Sequence, residues 1–257
     1  MTGSPAPLSA TLGPLEGDPR ESLARLGRLG CRHVQLSATQ PGLRPRDLDA
    51  GSRRGLRQRL QQLELLPSGL DLWIPPAHYT DPAHCDRALA AVLEAIELAA
   101  DLGRVPVSVL LPPHDGAQHE FSDLLATMLA RAERHGVDLA DHAIEPTAAE
   151  GGNGHRLRIG IDPAALMANA REPEAAVIDA GGRLCSARLC DLTVSGMRAP
   201  VARAPNVDSD AQLDVERYAA ALSIVGYARP VVIDARQWID PWAGMAQSMS
   251  AWAAVAR

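Results

Sequence analysis

The chain of 257 residues contains no lysine, so all 25 of its basic residues are arginine. This absence excludes Schiff-base formation, phosphate binding by a P-loop lysine and proton abstraction by a lysine base. Aromatic residues are also scarce, with one Phe and three Tyr. The hydrophobic core must therefore consist of Leu, Val, Ile and Ala, and the hydrophobic content of 46% is ample for a large one.

Several kinds of segment are missing as well. No run of 18 apolar residues occurs, so we expect no membrane span. The opening MTGSPAPLSATLG has no charged segment followed by a long apolar stretch, so we expect no signal peptide. The four cysteines form no CxxC pair, which favours buried free thiols and a cytoplasmic setting. The net charge of −6 argues against a nucleic-acid partner, because such partners usually bind a basic face.

Short apolar runs alternate with helical patterns eight times along the chain. The clearest helix is predicted in DPAHCDRALAAVLEAIELAADLG, where apolar residues recur three and four positions apart and a glycine ends the pattern. Strict alternation of strands and helices implies parallel strands joined by crossover helices. A typical (β/α)8 barrel has roughly 250 residues, close to the length of this chain.

The eight predicted strands lie in LSATL, RHVQLSA, SGLDLWI, VPVSVLL, VDLADHAIEP, RLRIGID, RLCSARLCD and RPVVIDAR. After the fifth strand, a GGNG stretch at 151–154 replaces the expected long helix. Two small domains would need a linker, and no Ser/Gly/Pro-rich segment separates two halves. A dinucleotide-binding sheet would need a G-x-G-x-x-G loop after an early strand, which is missing. The sequence therefore predicts an α/β protein with a single TIM-barrel domain over residues 1–257.

Acidic residues close two of the predicted strands. Asp162 ends LRIGID and Asp234 ends VVID. Since the carboxyl ends of barrel strands share one mouth, we expect both carboxylates to lie there. They could serve as metal ligands or as an acid/base pair across a substrate. Alternatively, each aspartate could cap the helix that follows it.

An arginine stands inside the predicted seventh strand. Arg188 would be costly to bury unless it met carboxylates or an anionic ligand. Asp162 and Asp234, on the strands either side, are its natural partners. The alternative is that Arg188 points outward between helices and pairs there. Asp191, three residues further on, is predicted to lie on the opposite face of a regular strand.

Further side chains near strand ends are candidates for substrate binding. These are Gln35, Asp71, Trp73, His78 and Arg236. The indole of Trp73 could stack on a sugar ring or fill the barrel top, and His78 could hydrogen-bond a substrate hydroxyl.

Arginines are also concentrated after the second strand. Arg44 and Arg46 lie in the following loop and could hold a phosphate or a carboxylate. The next helix carries further arginines, which we predict to form a solvated face: Arg53, Arg54, Arg57 and Arg59.

Several segments carry a family resemblance, namely HVQLSATQPGLRPRDL, GLDLWIPPAHYTDP, AIELAADLG, GIDPAAL and VVIDAR. They resemble the xylose-isomerase-like TIM barrels, which include sugar phosphate isomerases/epimerases and endonuclease IV. The resemblance covers nearly the whole chain, and its most specific parts are the helix ending in LG and the strand-six GID. It implies a divalent ion held by Glu, Asp, His and Glu on strands five to eight. The two Glu would move a proton next to a carbonyl.

Carried over to this sequence, the resemblance places Asp162 at the position of the strand-six Asp ligand. It places Asp234 at the position of the strand-eight Glu, and the side chain of Asp234 is one methylene shorter than that of Glu. On strand five both His142 and Glu145 match. Arg188 occupies the strand-seven His position, where a guanidinium cannot ligate a cation. We therefore expect the metal site to be altered or lost, with no cofactor or only a weakly bound Mn, Mg or Zn ion.

Two functions follow from the resemblance. The first is a sugar or sugar phosphate isomerase or epimerase, in which His142 or Glu145 and Asp234 transfer a proton and Arg188 stabilises the enediolate oxygen. The alternative is a catalytically inactive barrel that binds a carbohydrate or an acid metabolite. Endonuclease activity is disfavoured by the acidic net charge. The expected partner is a small-molecule carbohydrate, without nucleic acid or membrane, and a homo-oligomer is compatible with the sequence.

Overall fold

The computed structural model describes residues 6–113, 119–145, 157–202 and 213–255. The GGNG stretch at 151–154, for which the sequence predicted a break in the helix pattern, lies outside the described residues.

Eight strands form a closed barrel with the order β1-β10-β7-β6-β5-β4-β3-β2. These strands are β1 (Leu8–Thr11), β2 (His33–Ser37), β3 (Leu66–Asp71), β4 (Val107–Val109), β5 (Leu139–Asp141), β6 (Arg158–Ile161), β7 (Leu184–Leu189) and β10 (Val231–Ile233). The pairs β1–β10, β10–β7, β3–β4, β4–β5 and β5–β6 are parallel and in continuous register. The predicted (β/α)8 barrel is confirmed.

The helices of the described ranges are α1 (Pro19–Arg28), α2 (Ala50–Gln62), α3 (Cys85–Asp101), α4 (His119–His135), α5 (Pro163–Ala168), α6 (Pro173–Ala180), α7 (Val215–Ile224) and α8 (Pro241–Val255). Several begin at an aspartate whose side chain accepts an amide hydrogen of the first turn, as Asp49 does from Ser52 at 2.7 Å. Over the described ranges, none of these helices has the length and apolar character needed to cross a membrane.

Residue contacts group the chain into two compact units. The first unit combines residues 1–34 with 161–257, and the second contains residues 35–160. Within the first unit α6 packs on α7, and within the second unit α3 packs on α4. Both cores are mainly aliphatic, as the scarcity of aromatic residues requires. The single domain predicted over residues 1–257 stays a prediction.

The region after β6 departs from the strict alternation of strands and helices expected from the sequence. The structure has two helices there, α5 and α6, because Asp162 and the proline after it start a first helix directly at the strand end. This helix ends at Asn169, and Ala170 then adopts a φ of 54° before the second helix begins. The extra helix fixes the side chain of Asp162 at a helix N-terminus.

The predicted seventh strand also differs, because it ends at Leu189 rather than Asp191. Asp191–Leu192 (β8) pairs antiparallel with Arg198–Ala199 (β9) in a separate two-stranded hairpin. Its turn is closed by the amide of Gly196, which donates to the Thr193 carbonyl at 2.8 Å and has a φ of 82°. The opposite-face relation of Asp191 and Arg188 was predicted for one regular strand, and the two residues lie on different strands.

The predicted solvated arginine face of α2 needs one correction. Arg53 Nη1 donates to Asp101 Oδ2 at 2.8 Å, and its side chain is 19% exposed. Arg57 Nη1 donates to the Asp101 carbonyl at 3.2 Å. These two arginines are drawn onto the end of α3 because its last carbonyls and Asp101 offer acceptors there. Arg54 and Arg57 are exposed, as predicted, and the correction concerns Arg53.

His142 and Gly160 form a close contact in the second unit. The His142 amide donates to the Val109 carbonyl at 2.9 Å, which continues the pairing of β5 with β4. The ring of His142 is buried and lies so close to the Gly160 Cα that a Cβ there would overlap the ring. Position 160 thus requires a residue without a side chain.

We expect Gly160→Ala to lower the free energy of unfolding by about 1–3 kcal/mol, because the added methyl overlaps a buried ring. The control is Gly55→Ala in the middle of α2, where an added Cβ meets no atom within 4 Å apart from its chain neighbours and the backbone of its own helix. That change should raise the stability by about 0.5–1 kcal/mol, since alanine is the better helix former. Urea unfolding of both variants tests this, and equal effects of the two substitutions would contradict the packing described.

Candidate functional site

Five charged side chains of the first unit meet at the ends of β6, β7 and β10. We call this group the arginine–aspartate cluster: Asp162, Arg188, Arg198, Asp234 and Arg236. Asp162 directly follows β6 and Asp234 directly follows β10. The Asp234 amide donates to the Leu189 carbonyl at 3.1 Å, which aligns the end of β10 with the end of β7. The parallel register therefore brings the two aspartates to the same end of the sheet.

Arg188 lies between the two aspartates. Its Nη1 is 3.4 Å from Asp162 Oδ2 and 3.3 Å from Asp234 Oδ2, and its side chain is 2% exposed. Its carbonyl accepts a hydrogen bond from the Tyr218 hydroxyl at 3.0 Å. The structure therefore excludes the alternative in which this arginine points outward to pair between helices.

Arg198 was not anticipated from the sequence. It lies on β9, and its guanidinium bridges the aspartates, with Nη2 2.6 Å from Asp162 Oδ2 and Nη1 3.0 Å from Asp234 Oδ2. The only local signal is the Ser195–Gly196 turn, which reverses the chain just before this residue. Neither strand of the hairpin is long enough to show a periodic pattern.

Arg236 completes the cluster from the loop after β10. Its Nε donates to Asp234 Oδ1 at 2.8 Å, and its Nη2 donates to Asp234 Oδ2 and, at 3.2 Å, to Asp162 Oδ2. The side chains of Arg198 and Arg236 are 14% and 19% exposed. These two guanidiniums, rather than that of Arg188, can therefore be reached by a ligand.

The charges of the cluster do not cancel. Among the described residues, three guanidiniums face two carboxylates, so these five side chains together carry one net positive charge. Burial works against the charged form of Arg198, but the neighbouring carboxylates of Asp162 and Asp234 outweigh it and raise the pKa of Arg198. The cluster is thus a largely dehydrated, permanently cationic site, which suits an anionic or electron-rich oxygen of a ligand.

The two aspartates differ in their further contacts. Asp162 Oδ1 accepts from the Ala165 amide at 3.2 Å, so the residue caps α5 while its Oδ2 binds the arginines. The capping role considered for Asp162 is therefore observed, and its role as a metal ligand or in acid/base chemistry stays a prediction. Asp234 Oδ1 accepts from the Arg236 amide at 3.3 Å, within its own loop, and α8 begins only at Pro241. Every carboxylate oxygen of the cluster thus accepts at least one hydrogen bond.

A possible set of metal ligands overlaps with the cluster. Asp162, Cys190 and Asp234 offer ligand atoms that lie within 4.8 Å of one another. Burial raises the pKa of the Cys190 thiol well above its usual range, and the two carboxylates add to the rise. The thiol therefore stays neutral, and Arg198 Nη1 lies 3.3 Å from its sulfur. A cation entering here would have to displace guanidiniums that are already bonded to the carboxylates.

In the second unit, Ser108 links two of the expected site residues. The Gln35 amide Nε2 donates to Ser108 Oγ at 3.4 Å, and His142 Nε2 lies 3.2 Å from the same oxygen. All three side chains are buried. Glu145 is exposed, so of the two candidates on strand five it is His142 that lies in the interior. Asp71 is buried at the end of β3, and its carbonyl accepts from the Ala38 amide at 2.8 Å.

Two further expected residues, Trp73 and His78, line a cavity of about 330 Å³ in the second unit. Trp73 is 42% exposed, so its indole does not fill the barrel top. It falls beyond β3 because that strand ends at Asp71. Arg44 and Arg46 line the same cavity. The roles expected for these residues and for those of the cluster stay predictions.

We expect Asp234→Asn to destabilise the protein more than Arg188→Met. Removing Asp234 leaves three guanidiniums with one carboxylate, and breaking a buried ion pair in this way costs about 3–5 kcal/mol. Removing Arg188 leaves two charges of each sign, so the decrease in the free energy of unfolding should be smaller. Urea unfolding at low salt measures both. A larger loss for Arg188→Met would show that the cluster does not carry the excess positive charge described.

Thiol labelling tests the neutral state of Cys190. At pH 8 we expect rapid reaction of Cys85, which is partly exposed, and very slow reaction of Cys190 until the protein unfolds. Cys31 should also react slowly, because burial raises its pKa to about 11. A Cys85→Ser variant should lose the rapid phase. Labelling of Cys190 at a rate close to that of Cys85 would contradict a buried neutral thiol.

The comparisons with known proteins agree with the fold. The family model for the xylose isomerase-like TIM barrel matches residues 23–166, more than half of the chain. No curated protein matches the sequence. A xylose isomerase domain protein from Planctomyces limnophilus has a similar structure, with 15% identity, a TM-score of 0.71 and coverage of 98% of this chain and 97% of that chain.

Two similar structures are epimerases. An L-ribulose 3-epimerase has 15% identity and a TM-score of 0.70, with coverage of 98% of this chain and 94% of that chain. A D-allulose 3-epimerase from Methylomonas sp. has 15% identity and a TM-score of 0.68, with coverage of 99% of both chains. At this level of identity the likeness establishes the fold alone. The family model, which matches more than half of the chain, shows that the chain belongs to the xylose isomerase-like TIM barrel family.

Proposed function

We propose that the protein is an isomerase- or epimerase-type enzyme that transfers a proton next to a carbonyl of a small sugar or sugar phosphate without a resident divalent metal. The family and the epimerases among the similar structures support the reaction class. The observation that carries the proposal is the arginine–aspartate cluster, in which three guanidiniums bind the two carboxylates at the strand ends.

The residues of the cluster do not fit a divalent cation. Asp162 and Asp234 direct all their oxygens to hydrogen-bond donors. A cation would also meet the repulsion of guanidiniums within hydrogen-bond distance of its own ligands. Metal binding would therefore require the cluster to be dismantled. The proposed function accordingly includes no step at a metal.

The exposed parts of Arg198 and Arg236 determine how the cluster can interact with a ligand. Each guanidinium is held in place by two carboxylates before a ligand binds. Ligand binding therefore costs little additional side-chain conformational entropy. Donors held in this way stabilise an oxygen that gains negative charge during proton transfer. Asp162 and Asp234 then act as positioning residues for these arginines. A proton-transfer role for Asp234, and separately for His142 or Glu145, remains part of the proposal.

One observation favours the second candidate function, a catalytically inactive barrel that binds a carbohydrate or an acid metabolite. Asp234 Oδ1 and Oδ2 both accept charge-assisted hydrogen bonds from Arg236. A carboxylate held in this way is a weaker proton acceptor than a free one. Binding of an acidic sugar would use the cationic cluster without any proton transfer.

Solvent deuterium exchange tests the first function. The purified protein is incubated in D2O with a panel of ketoses and ketose phosphates, with EDTA or with added manganese, and carbon-bound deuterium is measured by NMR. We expect exchange that persists in EDTA and falls about 10²–10³-fold in Arg236→Met, because a preorganised donor is lost. The control is Arg134→Met, an exposed arginine of α4, which should leave the rate unchanged.

Each outcome has a defined meaning. Exchange that requires manganese would overturn the proposal of metal-free chemistry. Absence of exchange, combined with a rise in melting temperature on addition of sugar acids that Arg236→Met abolishes, would establish the binding function instead. Absence of both would reject both functions.

A further inference from the structure

The second unit contains a cavity built from residues outside the arginine–aspartate cluster. We call it the arginine pocket and define it by Arg44, Arg46, Trp73, His78, Arg87 and Glu94. The cavity volume of about 330 Å³ lies at the lower end of the range of small-molecule sites, roughly 300–1,000 Å³. It accommodates a monosaccharide-sized ligand.

The first half of α3 and the loops after β2 and β3 form its walls. The 3-10 turns Pro45–Asp47 and Pro76–Tyr79 both pack on α3. Ile74 and Ala88 are buried and form part of the lining between them. The pocket therefore has a fixed apolar floor beneath its charged rim.

The charges of the pocket are not balanced. Three guanidiniums and one carboxylate, that of Glu94, line the cavity, and one of these guanidiniums, that of Arg46, has its Nε 3.7 Å from Asp47 Oδ1. Arg44 Nε donates to the Thr39 carbonyl at 3.1 Å, which holds its guanidinium in place and leaves both terminal nitrogens for a ligand. Within the described part of the chain, Arg87 forms no ion pair. Two guanidiniums are thus available to a doubly charged phosphate group, which arginine binds in a bidentate manner.

Aromatic rings also line the pocket. Trp73 exposes 42% of its surface beside the cavity, a large fraction for a tryptophan. The ring of His78 stacks on that of His84 with centroids 4.4 Å apart, and Asp81 Oδ2 lies 2.6 Å from His84 Nδ1. An exposed indole packs well against the apolar face of a sugar ring, and the imidazole and carboxylate groups can bond to its hydroxyls.

We propose that the arginine pocket binds a phosphorylated monosaccharide-sized ligand, with the phosphoryl group on Arg44 and Arg87 and the sugar ring on Trp73. The ligand that this pocket would recognise carries a phosphate dianion on a sugar ring with one apolar face and several hydroxyls. The proposal does not depend on the proposed function, because it shares no residue with the arginine–aspartate cluster. It concerns binding and includes no covalent step.

Isothermal titration calorimetry with three probes tests the proposal: D-fructose 6-phosphate, D-fructose and inorganic phosphate. We expect D-fructose 6-phosphate to bind at least tenfold more tightly than either of the others. Arg44→Ala and Arg87→Ala should each weaken it about tenfold or more, because a hydrogen bond to a charged group is lost. Trp73→Leu should weaken D-fructose 6-phosphate but leave inorganic phosphate unchanged.

Two variants serve as controls. Arg54→Ala removes the same charge from an exposed position on α2 that does not line the pocket, and it should leave the affinity within twofold. Arg236→Met removes a guanidinium of the cluster and should also leave this binding unchanged. Far-ultraviolet circular dichroism checks folding. If Arg44→Ala does not fold, Arg87→Ala, at an exposed helical position, decides the test.

Three results would overturn the proposal. One is a lack of binding of D-fructose 6-phosphate at millimolar concentration. Another is an equal loss in Arg54→Ala, which would show attraction by diffuse charge. The third is a loss confined to Arg236→Met, which would assign the binding to the cluster. That last result would support the proposed function while rejecting the pocket, so failures of the two proposals are distinguishable.

Discussion

Buried charge must find a partner, and this requirement determines how the ends of β6, β7 and β10 are built. Asp162, Arg188 and Asp234 alone would leave one net negative charge in a dehydrated place, where its cost is high. Arg198 and Arg236 remove that deficit and add one positive charge. The β8–β9 hairpin therefore contributes to the cluster, because it carries Arg198, whose guanidinium bridges the two carboxylates.

A guanidinium and a metal ion impose different chemistry on a bound oxygen. A divalent ion acts as a Lewis acid and activates water, whereas a guanidinium offers directed hydrogen bonds from fixed positions. Arg198 and Arg236 can therefore stabilise developing negative charge on a substrate oxygen but cannot generate a nucleophilic hydroxide. The proposed proton transfer and the alternative, anion binding, both use these directed donors.

The fold could be predicted from the sequence because strand and helix periodicity are local and repeat eight times. The contact of Arg188 with Asp162 and Asp234 could also be predicted, since parallel strands end at one mouth. Arg198 could not, because two-residue strands show no periodic pattern and their pairing depends on tertiary context. The sequence placed Trp73 within the third predicted strand, because the apolar run does not stop where the strand does. It continues two residues past the last interstrand hydrogen bonds of β3.

The absence of lysine has a physical consequence at the arginine–aspartate cluster. Burial favours the neutral form of an ammonium group, and a buried lysine can lose its charge near neutral pH. A guanidinium keeps its charge under the same conditions, so Arg188 can remain a cation at 2% exposure. Its planar set of donors also lets one arginine hold two carboxylates, as Arg198 does, which a single ammonium point charge orients less well. A lysine at position 188 or 198 would therefore preserve the formal charge in the sequence without preserving either the charge state or the geometry of the cluster.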